Sequence, residues 1–358
     1  MLVLPSVWRK TFWFVHAIVY CLPMRVLIFV LLVLMVFSSC KKEQLPKVGE
    51  ESVCLHHGSF ALQTWGDVIW TEGVQYRNPV INPCNAEEVL YTYYSGDINT
   101  PPGIAKFNIR TGEKQILVQN VNAGRPAWHA NGKILFQAIP VHQIFIMDED
   151  GSNLMQLTSD ATSVLPFWSP DGERVLYFYS PVFGNPWALL SMELETGNVD
   201  TLHHSKTLRH TFVTSDNRVL GVQSSYLKLS QPTDFASPIE TEVILDLGTI
   251  GGGGGASGLT VHSSGMAYIS TFANSEEDGL FKFNISSGEL TKLRGHCVLN
   301  RPTELDVSSD GNSLIVSQSF AYYQMTSGWN KPAGFYQNHK LVHFDLNTHE
   351  QTLLEIPE

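Results

Sequence analysis

Basic residues are scarce in this chain of 358 residues. The 23 lysines and arginines face 34 aspartates and glutamates, which gives a formal net charge of −11. Arg9, Lys10 and Arg25 lie before residue 40, so only 20 basic residues follow, with all 34 acidic ones. Proteins that bind nucleic acid neutralise its phosphates with clustered cations. The sequence contains no such cluster, and we exclude nucleic acid as a partner.

Motifs of common catalytic centres are also missing. No Gly-x-Ser-x-Gly nucleophile motif occurs, and no pair of carboxylates stands at an informative spacing. The stretch GTIGGGGGASG (248–258) lacks the Lys-Ser/Thr of a phosphate-binding loop and predicts a flexible loop instead. The sequence therefore favours a binding role over an enzymatic one, and it indicates no cofactor.

Cysteine is rare and fits no zinc motif. Of the five cysteines, Cys21 and Cys40 lie in the N-terminal region, which leaves Cys54, Cys84 and Cys297. A Cys54–Cys84 disulfide in an oxidising compartment and isolated buried thiols are both open alternatives. We expect Cys84 and Cys297 to lie on opposite faces of the fold and not to pair.

Apolar residues are concentrated near the N-terminus. Residues 24–40, MRVLIFVLLVLMVFSSC, have the basic start, apolar run and small residues of a secretory signal. The cysteine after the two serines resembles a bacterial lipobox, whose cysteine is lipidated. The run 26–37 has 12 residues, whereas a membrane-spanning helix needs about 20. We predict a signal-peptide region over 1–39 that truly starts at Met24, and lipidation at Cys40. The protein is then an outer-membrane lipoprotein of a bacterial envelope, facing the periplasm or the cell surface.

A similar stretch recurs six times, at spacings of 41–48 residues. Each copy reads as a strand, a tight polar turn and an alternating strand. The clearest is LPFWSPDGERVLYF (165–178), in which we assign Asp171 to turn chemistry and expect Phe167 and Trp168 to pack between neighbouring units. The copies begin at Tyr76, Gly124, Leu165, Leu208, Ala256 and Asn300.

A second hairpin follows in five copies, at 104–119, 143–160, 187–204, 279–295 and 340–356. Most of its turns carry Asp-Gly, Thr-Gly or Ser-Gly, which supply the positive φ of a short hairpin. Two hairpins make a four-stranded sheet, and sheets at this period stack as propeller blades because none buries both faces alone. We predict an all-β fold, a six-bladed β-propeller of four-stranded antiparallel blades.

The boundaries of this propeller are less sharply marked. We assign it to 76–358, and residues 40–75 to the lipidated cysteine, a tether and a closing segment. That segment leaves a seventh blade as an alternative. The fourth copy, 208–250, shows no clear second hairpin.

The stretch IFIMDEDGSNLMQLTSDATSVLPFWSPDGERVLYF (144–178) resembles the repeat of TolB-like, PD40-type (WD40-like) β-propellers. The resemblance implies the propeller fold. TolB has an additional N-terminal α/β domain, for which about 35 residues between Cys40 and the first copy leave no room, so we do not carry over its partners.

PD40-type repeats also occur in oligogalacturonate lyase-like enzymes, which use histidines and a divalent metal. Five of the 13 histidines are candidates for the loop-rich face of such a fold: His203, His204, His210, His296 and His339. They form no compact ligand motif, and we predict no metal site.

Four of the eight arginines after Cys40 precede innermost strands at nearly equivalent positions: Arg77, Arg125, Arg209 and Arg301. With His210 they would surround the mouth of the central channel, where guanidinium groups offer bidentate donors to anions. Alternatively, each arginine pairs with an acid of a neighbouring blade, such as Glu304 or Asp306, and staples the ring.

The loop 320–339 is rich in aromatic residues, among them Tyr323 and Trp329. Aromatic rings stack on sugars and are enriched at protein interfaces; alternatively, the loop packs on itself as a plug. We therefore predict a monomeric envelope protein that binds an anionic carbohydrate, a peptide or an envelope protein on its loop-rich face. The alternatives are a lyase acting on acidic polysaccharide and a non-catalytic scaffold.

Overall fold

The alternating runs of the sequence form antiparallel sheets that follow one another along the chain. The computed structural model describes residues 69–71, 73–95, 101–159, 162–180, 187–204, 208–250, 255–271, 279–295, 302–324 and 334–357. Only the backbone is described at 69–71, 209, 302, 320–324 and 334–337.

Twenty-six strands make up the described part of the chain. They are β1 (Ile69–Thr71), β2 (Val74–Asn82), β3 (Asn85–Ser95), β4 (Gly103–Asn108), β5 (Lys114–Gln119), β6 (Asn122–Ala123), β7 (Ala127–Trp128), β8 (Lys133–Ile139), β9 (Gln143–Asp148), β10 (Met155–Gln156), β11 (Thr162–Trp168), β12 (Arg174–Ser180), β13 (Ala188–Glu193), β14 (Val199–His204), β15 (Arg209–Val213), β16 (Val219–Gln223), β17 (Tyr226–Ser230), β18 (Thr241–Asp246), β19 (Ala256–Val261), β20 (Met266–Thr271), β21 (Gly279–Asn284), β22 (Leu290–Gly295), β23 (Pro302–Val307), β24 (Ser313–Gln324), β25 (Gly334–Asp345) and β26 (Gln351–Leu353). Helical structure in these residues is limited to a 3-10 turn at Leu247–Thr249, and no helix among them is long and apolar enough to span a membrane.

Blades one to five each take their strands from one continuous stretch of chain, and blade six combines β23–β26 with β1 from the other end of the described chain. Blades one to six are β2–β5, β6–β10, β11–β14, β15–β18, β19–β22 and β23–β26. In blade two, β6 and β7 both pair with β8 and together replace a single innermost strand. These sheets confirm the predicted six-bladed propeller of four-stranded antiparallel blades.

Blade four departs from the repeat where the sequence was hardest to interpret. Its strands β17 and β18 are separated by residues 231–240 instead of a tight glycine turn. Phe235 and Ile239 in this connection are buried and join the apolar cluster shared with blade three. Arg174 of blade three donates to the carbonyl of Phe235 at 3.1 Å. In blade four, packing against the neighbouring blade therefore holds the connection between β17 and β18, where most other blades have a tight glycine turn.

Six clusters of buried apolar side chains fill the spaces between neighbouring blades. Trp168 packs with Leu135 and Ile144 of blade two, while Phe167, its neighbour in sequence, packs with Val219 of blade four. Successive residues of a strand face opposite sides of its sheet, so one blade serves both interfaces. The expectation for Phe167 and Trp168 is confirmed.

The seam between blades six and one joins the two ends of the ring. Strand β1 runs parallel to Phe335–Gln337 of β25 and is the one described strand of blade six that precedes blade one in the chain. Side chains supply further links: Ser317 Oγ donates to the Tyr76 carbonyl at 3.1 Å, and Gln75 Oε1 accepts from the backbone of His339 at 2.8 Å.

The turns that follow the innermost strands of blades three, four and six share one hydrogen-bond pattern. The Ser169 hydroxyl donates to Asp171 Oδ1 at 2.5 Å and accepts from the Arg174 amide at 2.9 Å. Ser308 and Asp310 of blade six repeat the first of these bonds. The Asp171 carboxylate therefore holds the turn, as its sequence context predicts.

These turns also contact one another between blades. His129 Nε2 of blade two donates to the Pro170 carbonyl of blade three at 3.1 Å. The His129 ring lies so close to Gly172 that an added Cβ would sit 2.4 Å from its Cε1. Only glycine fits this contact.

We predict that Gly172→Ala destabilises the propeller more than Gly197→Ala. Both glycines have a positive φ, +71° and +73°, but nothing lies within 4 Å of a Cβ at Gly197. The backbone cost, about 1–2 kcal/mol, is common to both variants, and displacement of His129 adds about 1–3 kcal/mol in the first. Denaturant unfolding measures the difference, and equal losses would contradict the blade-to-blade contact.

Candidate functional site

A bulge interrupts the innermost strand of several blades at the same level. In blade one, Arg77 pairs with Thr92 and Val80 with Leu90, so two residues, 78–79, oppose one. The same two-for-one insertion occurs at 165–166 in blade three, 210–211 in blade four and 303–304 in blade six. In blade two, 125–126 fill this position, because Gly124 bonds to Gln137 and Ala127 pairs with Leu135.

The bulges place strained or irregular backbone beside the channel. Asn78, Leu165 and His210 have φ of 52°, 54° and 48°, values that residues other than glycine seldom adopt. Proline follows the first bulge residue in three blades, at Pro79, Pro126 and Pro166. Proline within a strand marks a bulge, so these three prolines are the sequence signal from which the bulges could be predicted.

The four arginines do not occupy one structural position. Arg77 and Arg209 immediately precede their bulges, whereas Arg125 lies within one. Arg301 precedes β23 and lies outside the described residues, and the side chain of Arg209 is not described. The expected equivalence therefore holds for Arg77 and Arg209, while Arg125 has a different register.

A cavity of about 870 Å³ runs along the axis of the ring. At the end opposite the short turns, its wall includes Tyr94, Asn122 and Trp187, and at the turn end it reaches Ser309. Bulge residues from blades one to four and six lie between these ends: Asn78, Arg125, Pro126, Leu165, Pro166, His210, Thr211 and Glu304. The cavity is thus built from loops and bulges of several blades.

Arg77 of blade one pairs with Glu304 of blade six across the ring seam. The Arg77 Nη2–Glu304 Oε1 contact is supplemented by Nε at 3.5 Å from Oε2, and Thr303 Oγ1 donates to the same carboxylate at 2.7 Å. Burial raises the pKa of Glu304, but the charge and hydrogen bond of Arg77, with the Thr303 hydroxyl, outweigh burial and hold the pKa below its ordinary value. Glu304 is therefore ionised at neutral pH.

Arg125 extends from blade two across the axis to the opposite blades. Its Nη1 donates to the Leu259 carbonyl at 3.3 Å, its Nη2 donates to the Leu305 carbonyl at 3.2 Å, and Nη2 lies 3.5 Å from Asp306 Oδ1. The guanidinium carbon stands 4.6 Å from the centre of the Phe212 ring. Burial lowers the pKa of Arg125, and the charge of Asp306 opposes that effect. One side chain thus ties blade two to blades four, five and six.

Asp306 is the second carboxylate of this part of the wall. Its Oδ2 accepts from the Ile81 amide of blade one at 2.9 Å, and its Oδ1 accepts from Thr260 Oγ1 of blade five at 2.7 Å. Burial raises the pKa of Asp306, and Arg125 and these donors reduce the increase. Both carboxylates named as alternative partners of the arginines are therefore engaged as staples in the structure.

The remaining predicted residues are distributed as follows. His210 lies in the cavity wall, the side chain of Tyr323 is not described, and Trp329 lies outside the described residues. Within the described ranges, no group of three or more His, Cys, Asp or Glu side chains is arranged to hold a metal ion.

The cysteine alternatives are tested only in part. Cys84 lies in the turn after β2 and is exposed, which contradicts the isolated buried thiol at this position. Cys40, Cys54 and Cys297 lie outside the described residues, so the lipidation at Cys40 and the Cys54–Cys84 disulfide stay predictions.

Two indoles of the wall differ in their hydrogen bonding. Trp168 Nε1 donates to the Ala127 carbonyl at 3.1 Å. Trp128 occupies the corresponding place in blade two, is 7% exposed, and its Nε1 has no hydrogen-bond partner among the described residues. Buried donors are nearly always paired, so this nitrogen is an exception within the apolar cluster between blades one and two.

Comparison with solved structures finds other β-propellers. TolB from Acinetobacter baumannii aligns with a TM-score of 0.52 and 14% identity over 80% of this chain and 64% of that chain, so this chain spans less than two thirds of its length. The β-propeller domain of the trilobed protease from Pyrococcus furiosus aligns with 0.51 and 11% identity over 80% and 99%. A gluconolactonase from Xanthomonas campestris aligns with 0.52 and 11% identity over 69% and 84%.

The sequence itself matches no family model and no curated protein. At identities of 11–14% the structural likeness establishes the fold alone. The function must therefore be argued from the site, because propellers serve many functions.

We predict that Glu304→Gln lowers stability at neutral pH by about 1–3 kcal/mol, because Arg77 then loses its charged partner in a largely buried place. A carboxylate with a lowered pKa contributes stability above its unfolded pKa of about 4.3, and that contribution is lost as the pH falls through the folded pKa. The difference in the free energy of unfolding between wild type and variant therefore becomes smaller as the pH falls. The pKa of Asp306 is raised, so its contribution to stability changes with pH in the opposite direction. That contribution is the same in wild type and variant, and it cancels in the difference between them.

Glu87→Gln is the matched control for this experiment. It removes the Arg110–Glu87 pair, whose side chains are 73% and 44% exposed, and such surface pairs contribute about 0–1 kcal/mol. Denaturant unfolding of the three proteins between pH 7 and pH 3 gives the comparison. Equal losses in both variants at every pH would refute a special role for Glu304 in closing the ring.

Proposed function

We propose that this protein is a binding protein whose propeller takes a small ligand into its central cavity from the loop-rich end. The observation that carries the proposal is the cavity itself. Its volume of about 870 Å³ falls in the range of about 300–1,000 Å³ that is usual for small-molecule sites. Its wall combines apolar rings with a few convergent polar groups, which is the usual composition of such sites.

The loop-rich end supplies the accessible part of this wall. Asn122 is exposed there, and Trp187 and Tyr94 are half-buried. The opposite end is bordered by short turns that bond to one another, as His262 Nε2 does to the Ser309 carbonyl at 2.9 Å. Loops tolerate the variety of side chains that recognition requires, whereas the tight turns are occupied with local hydrogen bonds.

The sequence analysis predicts an anionic carbohydrate or a peptide as the ligand, on the basis of the arginine positions, whereas the cavity proposal itself specifies no charge for the ligand. Arg77 and Arg125 lie in the cavity wall, so they are placed to contact a ligand as well as their carboxylate partners. The proposed envelope protein partner would engage the same loop-rich face.

Envelope anchoring is the second part of the proposal. It is supported by the secretory-signal layout of residues 24–40 and the lipobox-like position of Cys40. A lipid chain at Cys40 would hold the propeller at a membrane surface, with the residues between Cys40 and β1 as the tether. Ligand capture would then take place in the periplasm or at the cell surface.

A thermal-unfolding screen of the full chain tests the binding proposal. The probes are neutral and acidic mono- to trisaccharides and short acidic peptides. At least one class raises the melting temperature, because a ligand that binds only the folded state stabilises it. Asn122→Trp, which adds a large ring at the exposed rim, abolishes that rise.

Val199→Trp is the control, because Val199 is exposed on the outermost strand of blade three, away from the cavity. A rise that survives Asn122→Trp would assign binding to another surface. A flat response across all probes would equally overturn the proposal.

Replacement of the anchoring residue tests the envelope part. Wild-type protein labelled metabolically with a palmitate analogue carries the label and sediments with membranes. Cys40→Ala loses the label and leaves the membrane fraction, because Cys40 is the proposed site of lipid attachment. Cys84→Ala, at an exposed turn cysteine, is the matched control and retains both. Unlabelled wild-type protein would disprove lipidation.

A further inference from the structure

We propose that the ligand of the central cavity is an uncharged sugar, a neutral mono- or disaccharide, rather than an acidic one. The inference rests on the proposed function, since it names the ligand class of the same cavity. Two features of the wall support it: compensated charge, and aromatic rings at the rim.

The charges of the described wall cancel in pairs. Arg77 lies against Glu304, and Arg125 lies 3.5 Å from Asp306 while it also donates to two backbone carbonyls. An acidic ligand that approached either guanidinium would therefore also meet a carboxylate within a few ångströms. Repulsion between like charges is strong in a poorly solvated site, so the arginines offer little net attraction to an anion.

The same ion pairs suit hydroxyl groups. A carboxylate has about four acceptor sites, and a guanidinium has five donors. Glu304 and Arg125 retain part of this capacity, since their side chains in the wall are 15% and 20% exposed. A sugar hydroxyl both donates and accepts, so it can bond to each partner without adding charge. Asn122, exposed at the rim, provides a further uncharged donor and acceptor.

Aromatic residues face the accessible part of the cavity. Trp187, half-buried, immediately precedes blade three's third strand, and Tyr94 lines the wall of blade one. Phe212 of blade four also lines the wall, with one face covered by the Arg125 guanidinium. The faces of such rings are apolar, and the ring C–H groups of a pyranose pack against them. This arrangement favours a ligand with one apolar face and a polar edge.

Matched sugar pairs distinguish the alternatives. Glucose is compared with glucuronate and galactose with galacturonate, together with cellobiose and digalacturonate, by calorimetric titration of the full chain. We expect at least one neutral sugar to bind ten-fold or more tightly than its acidic counterpart. We also expect ionic strength to change its affinity less than two-fold, because no net charge is neutralised.

Variants at the rim identify the surface. Trp187→Ala weakens binding of the neutral sugar ten-fold or more, whereas Trp187→Phe, which keeps an aromatic face, retains most of the affinity. Tyr226→Ala is the control, because Tyr226 is an exposed aromatic residue outside the cavity, and it leaves binding unchanged. Circular dichroism verifies that each variant is folded.

The outcomes separate this inference from the proposal on which it rests. Tighter binding of the acidic member, still blocked by Asn122→Trp, would overturn the neutral-sugar inference and leave the cavity proposal intact. If no sugar binds but an acidic peptide does, and Asn122→Trp blocks the peptide, the neutral-sugar inference is likewise overturned and the cavity proposal stands. Absence of binding by every probe would overturn both.

Discussion

Two carboxylates on one innermost strand hold this ring closed. Blades one to five are continuous in sequence, and in the described part of the chain the three residues of β1, which precede blade one, are the one strand from that end that pairs with blade six. Glu304 meets Arg77 of blade one, and Asp306 meets Arg125 of blade two, Thr260 of blade five and the backbone of blade one. Removing one partner of such a pair leaves a buried charge uncompensated, which costs more than the pair itself contributes.

The side chains of these two carboxylates and of their arginine partners also line the cavity. Arg125 reaches its acceptors only because it lies in a bulge, which changes the side of the strand that it faces. Its contacts with Phe212 and with the Leu259 carbonyl fix the opposite blades at a set distance. The charges that stabilise the ring thereby neutralise one another, and the site that remains is polar but nearly neutral.

Much of the fold can be predicted from local sequence. The turn at Ser169–Gly172 and the alternation on either side of it are local signals, and their repetition six times predicts the propeller. The second hairpin of blade four could not be predicted in this way, because it depends on Phe235 and Ile239 packing against blade three, and not on a turn residue. The bulges were not predicted either, although Pro79, Pro126 and Pro166 mark three of them in the sequence.

Local patterns in the sequence predicted six blades, the positions of the turns, and a candidate set that contains Arg77 and Arg125 and the acids Glu304 and Asp306. Which arginine meets which acid depends on the tertiary structure, because Arg77 and Glu304 are 227 residues apart and Arg125 and Asp306 are 181 apart. Register sets the direction of each side chain, and a one-residue offset reverses it. That offset distinguishes Arg125 from Arg77, and it appears only when the strands are paired in the ring.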